Sequence, residues 1–386
     1  MEVIAILTAM TKQGDVIISV NYSKAYLKQL RTTNIFRCLQ CHEQVILKVG
    51  TINIPHFAHK YDSECSQAFT EGESADHLNG KIQLYDFFKQ QKIPATLEAF
   101  LPKLKQRPDI LVQGLQSLVA TEFQCSQMDV TSMTERNNGY KSHQIMPLWI
   151  LRTPPISELP TREIGMMKLS AFRQQFFIGY PKFGTMIITY CPKTKQFHYI
   201  TNTLHIQSNT FIIKRKSLPI AKQTWPFALV KLISYEEFQH YLQLYKEQRI
   251  KHLENLYFHN KRGIQSTFLR ICYKWQVYPK LLPQFIGVPS AHAKAFQVHA
   301  VEWQIQFIDH LLALQVPIDQ ANHQHCESFL RDRPIGPTEA NGKLQAVQSY
   351  LKLLQACLIN SETSIYRSTF NIFKMNKILY SDFLAN

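Results

Sequence analysis

Apolar residues recur at two different spacings along this chain, and the places where the spacing changes mark its organisation. Residues 2–9 and 16–20 are short β-prone runs separated by the turn-forming Gly14-Asp15, and residues 22–30 have helical spacing, so a small α+β lead-in is predicted. From residue 36 to residue 66 the periodicity fades and Cys and His take its place, the pattern of a segment where a bound metal substitutes for an apolar core. Regularity returns at Glu73. Ile82, Leu84, Tyr85, Phe87 and Phe88 predict an amphipathic helix ending near Gln91. Residues 95–100, 109–112 and 118–124 read as strands, 131–143 as a helix and 147–151 as a further strand. The predicted order is α-β-β-β-α-β.

Thr153-Pro154-Pro155 then interrupts the pattern, because successive prolines can continue neither a helix nor a central strand. Three units are therefore expected: 1–67, 68–155 and 156–386. In the third, 185–191 and 197–201 flank Pro192-Lys193-Thr194-Lys195 as a hairpin, and 210–214 is suited to a strand. Helical spacing follows over 236–258, 266–275, 293–314 and 344–358, making the C-terminal region mainly α-helical. Tyr273, Trp275 and Trp303 sit at that spacing, where aromatic residues serve either as core or as a partner surface.

Charge sharpens this picture. Of 43 Lys+Arg and 28 Asp+Glu, residues 1–155 hold 16 and 14, whereas residues 156–386 hold 27 and 14. The surplus of the second part suits a polyanion such as nucleic acid, and Lys214-Arg215-Lys216 is its densest candidate contact. No apolar run approaches the ~18 residues of a membrane span, and the N-terminus lacks the features of a signal peptide, so a cytoplasmic protein with no membrane partner is expected. The eight cysteines are sparse and only Cys38, Cys41 and Cys65 cluster, which favours metal binding over a disulfide framework.

Cys38-Leu39-Gln40-Cys41 is a CxxC knuckle, followed by His56-Phe57-Ala58-His59 and then Cys65. Two thiolates two residues apart grip one zinc ion from a tight turn, and a second donor pair arriving across a short hairpin closes the tetrahedron. The expected ligands are Cys38, Cys41, His59 and Cys65, with His56 as the competing third ligand or as a residue that orients one. With all four positions filled, such a Zn²⁺ is structural.

Asp109 opens one predicted strand and Glu122 lies in the next, joined by a turn around 113–117. A hairpin brings such carboxylates together, and Gln124 shares the face of Glu122 because side chains alternate along a strand. Two acidic groups in otherwise apolar strands need a compensating cation, and Mg²⁺ or Mn²⁺ held there would polarise a phosphodiester and activate water. The preceding helix adds Glu73, His77 and Lys81 on one face: Glu73 as a further ligand, His77 or Lys81 as a contact to the scissile phosphate. The following helix adds Arg136 and Tyr140, spaced to hold a phosphate beside the site.

These residues resemble the CoiA-like competence proteins, which carry CxxC, HFAH, ESxxHxxxK, RPDI and ExQxS elements. They stand here as Cys38/Cys41, His56 to His59, Glu73-Ser74 with His77 and Lys81, Arg107-Pro108-Asp109-Ile110, and Glu122-Phe123-Gln124-Cys125-Ser126. The resemblance covers residues 1–155 well and the rest more weakly. It implies a restriction-endonuclease-like core of the PD-(D/E)xK type, acting on incoming single-stranded or branched DNA during natural transformation, alongside the RecA recombinase. That superfamily usually has Lys where Gln124 stands, and an amide brings no charge to a developing phosphorane. Either Lys81 supplies the missing cation or hydrolysis is slow or absent, leaving a non-catalytic, DNA-binding recombination mediator.

Overall fold

A computed structural model describes residues 5–59, 74–180, 184–227, 231–259, 265–336, 342–360, 366 and 368–385. The lead-in is a six-stranded sheet built from β1 (Ala5–Ile6), β2 (Thr8–Thr11), β3 (Val16–Ile18), β4 (Phe36–Arg37), β5 (Gln44–Lys48) and β6 (His56–Ala58), in the order β1-β6-β5-β4-β2-β3. Helix α1 (Lys24–Thr33) starts at Ser23, whose side chain accepts from Tyr26 N, and buries Leu27 against Ile6, Phe36, Val45 and Phe57.

The predicted α-β-β-β-α-β order is present. Helix α2 (Ala75–Gln90) is capped by Ser74 and leads into β7 (Ala95–Leu97), β8 (Ile110–Gln113) and β9 (Leu118–Gln124). Helix α3 (Val130–Ser142) then crosses to β10 (Met146–Arg152). β7, β8 and β9 form an antiparallel meander, while β10 lies parallel to β9, as a helical crossover requires. Alternation separates two cores. Val119, Phe123, Leu148 and Ile150 pack with Leu84, Phe87 and Phe88 of α2, whereas Ala120 packs with Tyr140, and Trp149 and Leu151 pack with Met133. The two helices thus cover opposite faces. Gly80 permits the close approach of α2 to β9, since a Cβ there would stand 2.0 Å from the Phe123 ring.

The boundary expected at residue 155 falls inside this sheet. Pro154 and Pro155 end β10, but the chain returns through β11 (Ile164–Lys168), a short α4 (Ala171–Gln174), β12 (Ile178–Tyr180), β13 (Gly184–Cys191), β14 (Gln196–Gln207) and β15 (Thr210–Pro219). β13 pairs parallel with β10, so a nine-stranded sheet runs β11-β15-β14-β13-β10-β9-β8-β7, with β12 on β13. The predicted hairpin is β13–β14. Its second strand extends well beyond residue 201, because Ile206 and Ile212 pack against the helical region.

The helical region comprises α5 (Tyr235–Phe258), α6 (Thr267–Lys274), α7 (Ala300–Ala313), α8 (His323–Asp332), α9 (Lys343–Cys357) and α10 (Ile372–Ala385). The helix predicted over 293–314 is divided, since Gln297 stands at φ +57 and His299 in extended backbone at the start of α7. Trp275 and Trp303 are core, leaving Tyr273 exposed. Among the described residues, no helix is long and apolar enough to cross a membrane.

Candidate active site and candidate metal centre

The turn after β4 brings Cys38 and Cys41 to His59, which follows β6: one donor atom from each lies within 4.8 Å of the others. Cys41 Sγ is 3.6 Å from His59 Nε2, and Gln40 N donates to Cys38 Sγ at 3.3 Å. His59 Nδ1 is buried without a hydrogen-bond partner. A thiolate pair and an imidazole with an orphaned nitrogen fit a tetrahedral metal. The structure places His59 in this cluster, whereas His56 Nδ1 turns to the Ile54 carbonyl at 2.8 Å. Cys65, the expected fourth ligand, and Glu73 lie outside the described residues.

Asp109 precedes β8, and the pairing of Ile110 with Thr121 sets it across from Glu122. Their side chains nevertheless find partners on opposite faces. Asp109 Oδ2 accepts from Phe123 N at 2.8 Å and lies 3.2 Å from His77 Nε2, while Oδ1 is 3.6 Å from Lys81 Nζ. Glu122 Oε1 accepts from both Arg136 Nη2 and the Tyr140 hydroxyl. Burial pushes the Asp109 carboxyl up, but His77 and Lys81 outweigh it and hold the group well below its ordinary range. At Glu122 burial dominates: despite Arg136, and with the Asp109 charge adding to the effect, its carboxyl is raised. The two acids therefore sense one another while their environments push their proton affinities apart.

Several expected roles are corrected by this geometry. Arg136 and Tyr140 are spent on Glu122, and Tyr140 is fully buried, so neither stands ready for a phosphate. The amide of Gln124 donates to the Ser126 carbonyl at 3.0 Å, away from a three-way convergence with the acids. Lys81 is 1% exposed and lies 2.6 Å from Glu98 Oε1, a partner absent from the sequence-based site. Glu98 is a charge just beyond an apolar strand, the one local signal that could have marked it. Lys214, Arg215 and Lys216 do not form one patch: Lys214 pairs with Glu237 and Glu163, and strand alternation sends Arg215 to the other face.

Together the fold and site define an α+β chain with an acidic centre in its nine-stranded sheet and a cysteine–histidine cluster in the six-stranded sheet ahead of it. The model of the competence protein CoiA nuclease-like domain matches residues 73–232, and that of the CoiA N-terminal domain matches residues 19–68. Competence protein CoiA of Bacillus subtilis (strain 168) is 26% identical over 337 residues, which cover 83% of this chain and 85% of that protein. No solved structure matches. The chain belongs to the competence protein CoiA family. The nuclease-like match extends past residue 155, as the nine-stranded sheet does.

Proposed function

We propose that this protein is a metal-dependent, nuclease-like DNA-processing factor of natural competence, acting in the cytoplasm on incoming single-stranded or branched DNA. One observation carries this reading: the half-buried Asp109, just ahead of β8, and the buried Glu122 of β9 stand across from each other in an antiparallel meander, each flanked by a cation from a different helix. Mg²⁺ or Mn²⁺ bound there would supply Lewis-acid polarisation of a phosphodiester and an activated water. Asp109, kept ionised by His77 and Lys81, would be the first oxygen ligand. Glu122, which senses the Asp109 charge, would supply the second oxygen ligand once Arg136 turns from it. Zn²⁺ at Cys38, Cys41, His59 and Cys65 is structural in this account.

The test is cleavage of labelled single-stranded and branched DNA in Mg²⁺ or Mn²⁺. Wild-type protein is expected to cut, and Asp109→Ala to lose about 100-fold or more in rate; full activity in Asp109→Ala removes the proposal. A second reading, a non-catalytic DNA-binding mediator acting with the RecA recombinase, is favoured by the occupied state of the site. Both carboxylates already hold protein cations, and the Gln124 amide is committed to Ser126. Under that reading transformation frequency survives Asp109→Ala and Glu122→Ala.

A further inference from the structure

Glu98 joins two parts of the chain through one carboxylate. It follows β7 at φ +50, a conformation that a non-glycine residue keeps only where its surroundings over-determine it. Those surroundings are specific. Oε2 accepts from Leu7 N at 2.9 Å, Thr8 N at 3.1 Å and the Thr8 hydroxyl at 2.9 Å, all from the N-terminal sheet. Oε1 accepts from Lys81 Nζ at 2.6 Å, and Lys81 in turn lies 3.6 Å from Asp109 Oδ1. Glu98 and Lys81 side chains are each 1% exposed. Burial alone would push the Glu98 carboxyl up, but Lys81 and Arg107 hold it below its ordinary value, so the bridge is ionic. Apolar packing would dock two sheets without the desolvation of a buried ion pair, so a charge at this junction calls for a role besides adhesion.

We infer that Glu98 is a positioning residue through which docking of the N-terminal sheet sets Lys81 against Asp109, making the acidic centre dependent on a seated N-terminal module. The inference rests on the phosphodiester reading above and adds a means of controlling that site. The connection is short. Leu7 directly follows β1, which pairs with β6 through Ile6 and Phe57, and His59 of the cysteine–histidine cluster directly follows β6. Displacing the N-terminal sheet withdraws three donors from Oε2 and frees Glu98 to turn, and Lys81 loses its fixed position beside Asp109.

The full-length chain tests this through Thr8→Val, which removes the hydroxyl donor and touches neither Lys81 nor Asp109. Two readouts apply: solvent exchange of the Lys81 ammonium protons by ¹⁵N-edited NMR, and kcat and KM for Mn²⁺-dependent cleavage of single-stranded DNA. Thr8→Val is expected to speed ammonium exchange about tenfold and lower kcat at unchanged KM, with Glu98→Gln more severe. Thr8→Ser, which keeps the hydroxyl, is expected to restore both. Wild-type exchange and kcat in Thr8→Val, or failure of Thr8→Ser to restore them, overturns the inference. A wild-type protein that cuts nothing defeats the phosphodiester reading instead, and the exchange comparison then decides the coupling alone.

Discussion

Removing the Tyr140 hydroxyl probes the electrostatic balance of the acidic centre with little change in shape. The Tyr140 ring is fully buried, and its hydroxyl donates to Glu122 Oε1 while accepting from Arg136 Nη2 at 3.2 Å. Phenylalanine fills the same volume but leaves a buried carboxylate one donor short. A hydrogen bond to a charged group contributes about 1.5–3 kcal/mol, so Tyr140→Phe is expected to destabilise the nuclease-like unit by about 2 kcal/mol. For a cooperative unit of this size that corresponds to a fall in Tm of roughly 4–8 °C. The penalty also has a pH signature. The hydroxyl stabilises ionised Glu122, whose carboxyl is raised, so the loss is full where Glu122 is charged and shrinks as the pH falls and Glu122 takes up its proton. Urea unfolding of wild-type and variant protein at neutral and acid pH measures both, with amide exchange in β9 and α3 locating the effect. A penalty under about 0.5 kcal/mol, the scatter of uninformative surface changes, or one independent of pH, would refute the reasoning.

Further outcomes follow from the same structure. Asp109→Asn is expected to flatten the acid limb of the stability profile: a carboxyl held below its ordinary 3.8 contributes stability above that pH and loses it as pH falls below, so wild type weakens there and the variant does not. Acid unfolding followed by circular dichroism checks this. Gly80→Ala, which puts a Cβ 2.0 Å from the Phe123 ring, is expected to cost about 1–3 kcal/mol by separating α2 from β9, measured by thermal melting. Chelation of the metal, or Cys38→Ala, is expected to unfold the N-terminal module while His56→Ala keeps the metal. Metal analysis of purified protein with far-ultraviolet circular dichroism separates the three cases.

The sequence was most informative where a local period matched a tertiary role. Ile82 to Phe88, the run of 118–124 and the helix around Arg136 announced the α-β-β-β-α-β order because each element buries its own face on the same sheet. The candidate acids were readable for the same reason, as charges at the start of one apolar strand and within the next. What was not readable is long-range. Glu98 takes its partners from Leu7 and Thr8, about ninety positions away, and from a lysine on another element, which no spacing rule connects. Pro154-Pro155 was a correct strand stop but a wrong domain boundary, because only the parallel pairing of β13 with β10 shows that the sheet resumes. Arg136 and Tyr140 had the right spacing for a phosphate, yet the cheaper use of a buried guanidinium beside an acid is to neutralise it.

The proposed function requires Asp109 and Glu122 to share one hard cation. A crystal grown with saturating Mn²⁺ and measured at the manganese absorption edge decides it. One anomalous peak about 2.1 Å from an oxygen of each carboxylate is expected, with Arg136 moved off Glu122. No peak at that pair, with Arg136 and Tyr140 still bonded to Glu122 Oε1, would contradict it.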